Sequence, residues 1–243
     1  MQNDDRRIVF AIPYLNDFTM IGTTDHEYQG DPSQVKITQQ EIDYLIAVSN
    51  AHFNKQLVQA DIVSTFAGVR PLCDDESDNP SAVTRDYTLA LSKGEGEQAP
   101  LLSVFGGKLT TYRKLAESAM QQLKTFFPEM QGSWTATQAL PGGENMESVE
   151  QLMQEIRAQV TDASEALAKR WASAYGSRVW NILGEITSVQ QLGQHIGHGL
   201  YANEVDYLCD IEWATTSQDI LWRRSKLGLS FTQKETEALD AYL

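Results

Sequence analysis

Between Phe127 and Glu147 the chain changes character. Pro128, Gly132, Pro141, Gly142 and Gly143 punctuate a stretch with little hydrophobic period, which separates a mixed region from one that reads helical throughout. Domain boundaries fall in such Pro- and Gly-rich segments. The break therefore predicts a first region over 1–127, a linker over 128–147 and a helical domain over 148–243. A length of 243 residues suffices for two hydrophobic cores. The fold class is α+β: antiparallel strands with helices first, then an all-α domain.

Before the break, Ile8–Ile12 and Phe18–Thr23 flank a turn at Asn16 and Asp17 and predict a β-hairpin. Thr38 followed by Glu41 is a capping box, and Ile42, Leu45, Ile46 and Phe53 give the helix behind it an apolar face. Ser64 to Leu72 reads as a strand that delivers Arg70 just before Pro71, and a proline forces its predecessor into extended geometry. The acidic run Asp74–Pro80 lacks the central glycine and the final glutamate of a calcium loop, so it reads as a solvated loop. Tyr87–Leu91 and Leu101–Phe105 flank a Gly- and charge-rich loop, a second hairpin.

After the break, Val149, Leu152, Ile156 and Val160 keep helical spacing, and Asp162 with Glu165 starts a helix that Gly176 ends. Val205, Leu208, Cys209 and Trp213 mark another, Ile220–Lys226 a further one, and Thr232 with Glu235 caps the last. Trp171, Trp180, Trp213 and Trp222 are expected as core anchors.

The segment richest in chemistry is Val104–Arg113, where a short apolar strand turns through Gly106 and Gly107 into a helix. Glycines there permit positive φ and close backbone approach. The helix would present Leu109, Tyr112, Leu115, Ala116, Ala119, Met120 and Leu123 on one face, with Arg113, Lys114, Glu117 and Lys124 outward. Its first turn would aim free N–H groups, with Lys108 beside them, at an anionic or carbonyl oxygen. The spacing fits neither a Walker phosphate loop nor a G-x-G-x-x-G turn. The plain alternative is a strand-to-helix turn with an exposed lysine. Arg70 offers a donor fork suited to phosphate or carboxylate; its plain alternative is pairing with Asp74, Asp75 or Glu76.

Other constellations say less. His195 and His198 sit among Gly193, Gly197 and Gly199, which makes a shared helix face improbable, and a polar loop is expected. His26 and His52 belong to no catalytic pattern. The basic cluster Arg223, Arg224 and Lys226 reads either as a helix C-terminus complementing its dipole or as a docking surface. A net charge of −14 argues against a nucleic-acid partner. Cys73 and Cys209 form no metal or disulfide pattern, which suits a reducing compartment. No run approaches a membrane-spanning length, and no secretory signal is evident.

Five motifs in order carry a family resemblance: Arg6–Pro13, Asp17–Asp25, Gly68–Asp75, Thr84–Tyr87 and Phe105–Arg113, with Leu221–Lys226 extending it. Together they resemble the flavin-dependent aerobic glycerol-3-phosphate dehydrogenases of bacteria. The resemblance implies part of a flavin-oxidase-like substrate domain, the returning strand and helix of the FAD domain, and a helical C-terminal domain. Members of that family begin with a G-x-G-x-x-G turn that holds FAD, and none occurs here. The chain is thus expected to be the C-terminal portion, lacking about half of the enzyme and unable to hold FAD tightly alone.

By the same resemblance the full-length protein oxidises sn-glycerol 3-phosphate to dihydroxyacetone phosphate, with hydride passing to flavin and electrons to quinone. It would work as a peripheral protein, with room for a homodimer, at the cytoplasmic face of the inner membrane. Arg70, Lys108 and Arg85 are the expected substrate contacts. Gly106, Gly107, Lys108, Leu109 and Thr110 are the expected cofactor contacts, and no metal is expected. The rival readings are a stand-alone anion-binding protein and a helical protein-interaction module.

Overall fold

The chain divides into two units, Met1–Ser133 and Trp134–Leu243, and among the described residues the first contains two hairpins and two α-helices. The structure is a computed structural model that describes residues 1–3, 5, 7–15, 17–70, 86–94, 96 and 98–243. In the first unit β1 (Phe10–Tyr14) pairs antiparallel with β2 (Phe18–Gly22), with Phe10 opposite Gly22 and Tyr14 opposite Phe18. β1 starts two residues later than the apolar run suggests, because Ile8 instead bridges to Gln2.

Helix α1 (Gln39–His52) begins at the expected box: the Glu41 amide donates to Thr38 Oγ1 at 3.3 Å, and the Thr38 amide donates to Glu41 Oε2 at 2.8 Å. Two helix-terminal donors are satisfied reciprocally. Its packing is thin, since Val48 and Ser49 are buried while Ile42, Leu45 and Ile46 are half-buried. Phe53 leaves the expected apolar face, because the backbone turns extended there and the ring is exposed.

The second hairpin joins β3 (Tyr87–Ser92) to β4 (Leu101–Gly106), in register from Tyr87 opposite Gly106 to Ser92 opposite Leu101. Helix α2 (Tyr112–Leu123) follows, with Tyr112 and Met120 of its apolar stripe largely exposed. Ser64–Arg70 is exposed and pairs with no strand among the described residues, so the expected strand there is an unpaired segment. Cys73, the acidic run 74–80 and Arg85 lie outside the described residues.

The second unit has a true core. Helices α3 (Val149–Gln159), α4 (Glu165–Tyr175), α5 (Val179–Leu183), α6 (Ala202–Asp210) and α7 (Gln233–Tyr242) bury Leu152, Ile156, Trp171, Leu183, Leu208 and Leu239 together. Each such aliphatic side chain gains roughly 1.5–3 kcal/mol from leaving water. A small hairpin, β5 (His195–Gly197) with β6 (Leu200–Tyr201), interrupts the helices where the glycines predicted a loop.

Three expectations in this unit give way. Ser164, not Asp162, caps α4 by accepting from the Leu167 amide, because Asp162 is occupied accepting from the Val189 amide at 2.8 Å and Ser188 Oγ at 3.0 Å. Trp213 is no core anchor: α6 ends before it, the Ala214 amide closes onto Leu208 O at 3.0 Å, and Trp213 takes a left-handed φ of 58° with its ring 83% exposed. Trp171 is fully buried, and Trp180 and Trp222 pack against the core. The Ile220–Lys226 helix is a π-helical turn, Asp219–Arg224, closed by the Ser225 amide to Ile220 O at 2.9 Å.

A buried side-chain network and a backbone contact bind this unit together. Glu204 on α6 is wholly buried, and its two oxygens accept from Arg170 Nη1 at 2.6 Å, Tyr175 Oη at 2.5 Å, Arg170 Nη2 at 2.7 Å and Trp171 Nε1 at 3.0 Å. Burial and the Glu204 carboxylate both push the Tyr175 hydroxyl above its ordinary range, so it stays a donor. Gly142, in the segment before α3, accepts from the Ser177 amide at 2.9 Å. A Cβ on Gly176, whose φ is 54°, would strike the Gly142 carbonyl oxygen. No helix among the described residues is long and apolar enough to cross a membrane.

Candidate functional site

The strand-to-helix turn forms as its glycines require. Gly106 has φ 69° and Gly107 φ 103°, conformations that L side chains rarely adopt. Gly107 also brings the backbone against Tyr87 Cβ and Leu115 Cδ1, where an added Cβ would stand 3.5 and 3.7 Å away. The Tyr87 hydroxyl meets Ser118 Oγ at 3.0 Å, so β3 and α2 are tied together just behind the turn.

Lys108 is extended and precedes a short 3-10 turn, Leu109–Thr111, that leads into α2. The Thr111 amide donates to Lys108 O at 3.0 Å and the Tyr112 amide donates to Leu109 O. Lys108 gives no side-chain acceptor to the amides ahead of them, and Leu109 is 89% exposed. The turn thus presents uncapped N–H groups beside a cation on an accessible surface. Such a turn can hold an anion or a carbonyl oxygen.

Arg70 lies elsewhere in the same unit. Its Nη1 is 3.3 Å from Asp25 Oδ1, and the two side chains are 44% and 48% exposed. Asp25 was missed as its partner, although it ends one of the motifs that carry the resemblance. Beside it, Thr24 Oγ1 donates to Glu41 Oε1 at 2.6 Å, and His26 Nε2 stands 4.0 Å from the same oxygen. Partial burial pushes the Glu41 carboxyl up, but hydrogen bonds from Thr24 and Thr38 outweigh it and leave the group below its ordinary value. The structure gives no common group held by both Arg70 and Lys108 among the described residues. Arg85, the third expected substrate contact, lies outside them.

The remaining polar clusters are locally satisfied. Arg223 pairs with Asp219 at 3.0 Å, Arg224 Nη2 donates to Glu212 O at 2.6 Å, and Lys226 Nζ donates to Trp222 O. The basic cluster therefore completes its own helix terminus and the turn beside it. His195 accepts from the Gly199 amide at 3.2 Å, and His198 stands 3.4 Å from Glu235. His52 Nδ1 donates to Val48 O at 2.9 Å, a tautomer set by the carbonyl acceptor. No cluster of three His, Cys, Asp or Glu side chains suited to a metal occurs among the described residues.

Comparison with known proteins now gives the class. Residues 1–113 match the family model described as FAD dependent oxidoreductase, and residues 133–243 match the C-terminal domain of alpha-glycerophosphate oxidase. A glycerol-3-phosphate dehydrogenase of Pseudomonas aeruginosa is 61% identical over the whole chain, which covers 47% of that relative. The aerobic glycerol-3-phosphate dehydrogenase of Escherichia coli is 47% identical over the whole chain, covering 48% of it. A D-erythritol 1-phosphate dehydrogenase of Brucella abortus is 43% identical over 98% of the chain and 47% of its own length. Along its whole length the chain is similar to glycerol-3-phosphate dehydrogenases, its first part matching a FAD dependent oxidoreductase model and its second the C-terminal domain of alpha-glycerophosphate oxidase. It spans about half the length of the curated relatives it matches.

The turn fits the cofactor that this family implies. Two left-handed glycines would let a flat ring system approach the backbone, and uncapped amides would suit the electron-rich edge of a flavin.

Proposed function

We propose that the chain provides the substrate-facing segment and the flavin-contacting turn of an enzyme that oxidises sn-glycerol 3-phosphate to dihydroxyacetone phosphate and passes the electrons to quinone. The observation that carries this reading is the Gly106–Gly107–Lys108 turn with its uncapped amides. FAD, when bound, supplies the hydride acceptor. Gly106 and Gly107 would permit close approach of the ring, and the amides of Leu109 and Thr110 would hold the edge of it that becomes electron-rich on reduction. Lys108, Arg70 and Arg85 bind substrate oxygens or phosphate, and a fixed cation near the substrate hydroxyl stabilises developing alkoxide.

The test is dye reduction by the FAD-loaded full-length enzyme. Arg70→Ala raises KM for glycerol 3-phosphate or lowers kcat by about tenfold or more, the scale of a charge-assisted phosphate contact. Unchanged kinetics would remove Arg70 from the site. The chain alone, titrated with FAD, is expected to bind it weakly, and tight binding would sink the reading of the chain as a portion. Full-chain similarity to a D-erythritol 1-phosphate dehydrogenase favours a second substrate, a longer polyol phosphate. Arg and Lys recognise the phosphate and leave the polyol length open, so competition between the two substrates decides.

Peripheral attachment to the cytoplasmic face of the membrane and a homodimeric state rest on the resemblance. Vesicle flotation and solution sizing of the full-length enzyme test them. Neither the stand-alone anion-binding protein nor the helical interaction module is favoured, since both halves of the chain match the same dehydrogenases.

A further inference from the structure

We propose that Asp25 is a positioning residue for Arg70, its carboxylate holding one end of the guanidinium so that the remaining donors are oriented for the substrate phosphate. The inference rests on the reading of Arg70 as a phosphate contact. Arg70 arrives on the exposed, unpaired stretch Ser64–Arg70, with no strand partner there to fix its direction. A long cationic side chain on such a segment loses much rotamer entropy on binding, and a carboxylate that holds it in advance reduces that loss. Asp25 meets Arg70 through one contact, Nη1 to Oδ1 at 3.3 Å, and among the described residues Nη2 has no partner.

The backbone that leads into Asp25 is anchored. The chain leaves β2 at Gly22, and Thr24 Oγ1 donates to Glu41 Oε1 at 2.6 Å. Glu41 is locked in turn, because its other oxygen accepts from the Thr38 amide and Thr38 Oγ1, both at 2.8 Å. The N-terminus of α1 thus holds Thr24 by a hydrogen bond, and Thr24 is the chain neighbour of the Asp25 that pairs with Arg70. A local capping box thereby fixes the backbone beside the carboxylate that meets a cation far along the chain.

The experiment is steady-state kinetics of the full-length FAD enzyme as wild type, Asp25→Asn, Asp25→Glu, Arg70→Ala and the Asp25→Asn/Arg70→Ala double variant. An exposed ion pair allows a rise in KM of about threefold to fivefold in Asp25→Asn. We expect that rise with kcat little changed, partial recovery in Asp25→Glu, and no further effect of Asp25→Asn in the Arg70→Ala background. A lower KM in Asp25→Asn would mean that Asp25 competes with the phosphate, and would overturn the proposal. An equal effect in both backgrounds, or a fall in kcat and FAD content without a change in KM, would overturn it as well. If Arg70→Ala alone leaves KM and kcat untouched, the reading of Arg70 fails and this inference with it. A strong Arg70→Ala effect beside a silent Asp25→Asn sinks the inference only.

Discussion

Trp171 in the second unit is enclosed on every side, whereas Phe66, Leu101, Phe105 and Leu109 in the first unit stand out from the surface. Among the described residues before Trp134, Val9 and Val48 are the buried hydrophobics; after it, a continuous core joins all five helices. Both regions nonetheless carry equally explicit local signals. The box at Thr38 and Glu41 has a counterpart at Thr232 and Glu235, with the same 2.8 and 3.3 Å contacts. Local chemistry thus sets where helices and hairpins form, while stability comes from how much of their apolar face is covered. Apolar surface left open on this scale marks a place of contact, and the relatives are about twice as long as this chain.

The comparison breaks most visibly at Glu204. Replacing it by alanine strands the Arg170 guanidinium, the Tyr175 hydroxyl and the Trp171 N–H, and should cost the second unit about 3–5 kcal/mol in urea unfolding. A loss below about 1 kcal/mol would show that this network does not hold α4 to α6. Next is Gly176→Ala, where both a positive φ and the Gly142 carbonyl oppose the new methyl group; about 2 kcal/mol is expected.

The matched boxes sharpen the contrast. Thr38→Ala and Thr232→Ala should each weaken their helix by about 1 kcal/mol. Amide exchange should then report local fraying of α1 but reduced protection across the whole core for α7. Equal, local responses would erase the distinction between the units.

A smaller effect appears only in acid. The Asp219 carboxyl is held down from 3.8 to about 2, mainly by the Thr215 amide and the Thr216 hydroxyl. A depressed carboxyl stabilises the fold above its unfolded value and loses that contribution as pH falls through the folded one. Melting of the second unit should therefore weaken between roughly pH 4 and pH 2, and Asp219→Asn should flatten that slope. The smallest change expected is Phe10→Ser on the exposed face of β1, within about 0.5 kcal/mol for this chain alone. A larger loss in the full-length enzyme would show that the face is covered there.

What could be read from sequence was what neighbours along the chain decide. The two capping boxes, the hairpin flanking Gly94 and Gly96, and the left-handed Gly106 and Gly107 all depend on residues a few positions apart. What escaped depended on distant partners. Asp162 and Ser164 are both able caps, and contacts from Ser188 and Val189 chose between them. Trp213 fits a helical stripe until the Ala214 amide closes onto Leu208 and turns it outward. Glu204 beside Val205 gives no hint that four donors from α4 surround it. At the candidate site the turn was legible, but the partner of Arg70 was not, because Asp25 reaches it from another element.

The pairing of Gly142 with Gly176 also bears on where this chain could be divided. A helical lobe cut at Val149, the start of α3, would leave the Ser177 amide without its acceptor and uncover the backbone of Gly176, against which Gly142 packs. A cut ahead of Trp134 would carry the sealing segment along. From Trp134 on, the stretch that reads as a linker in the sequence belongs to the lobe it precedes.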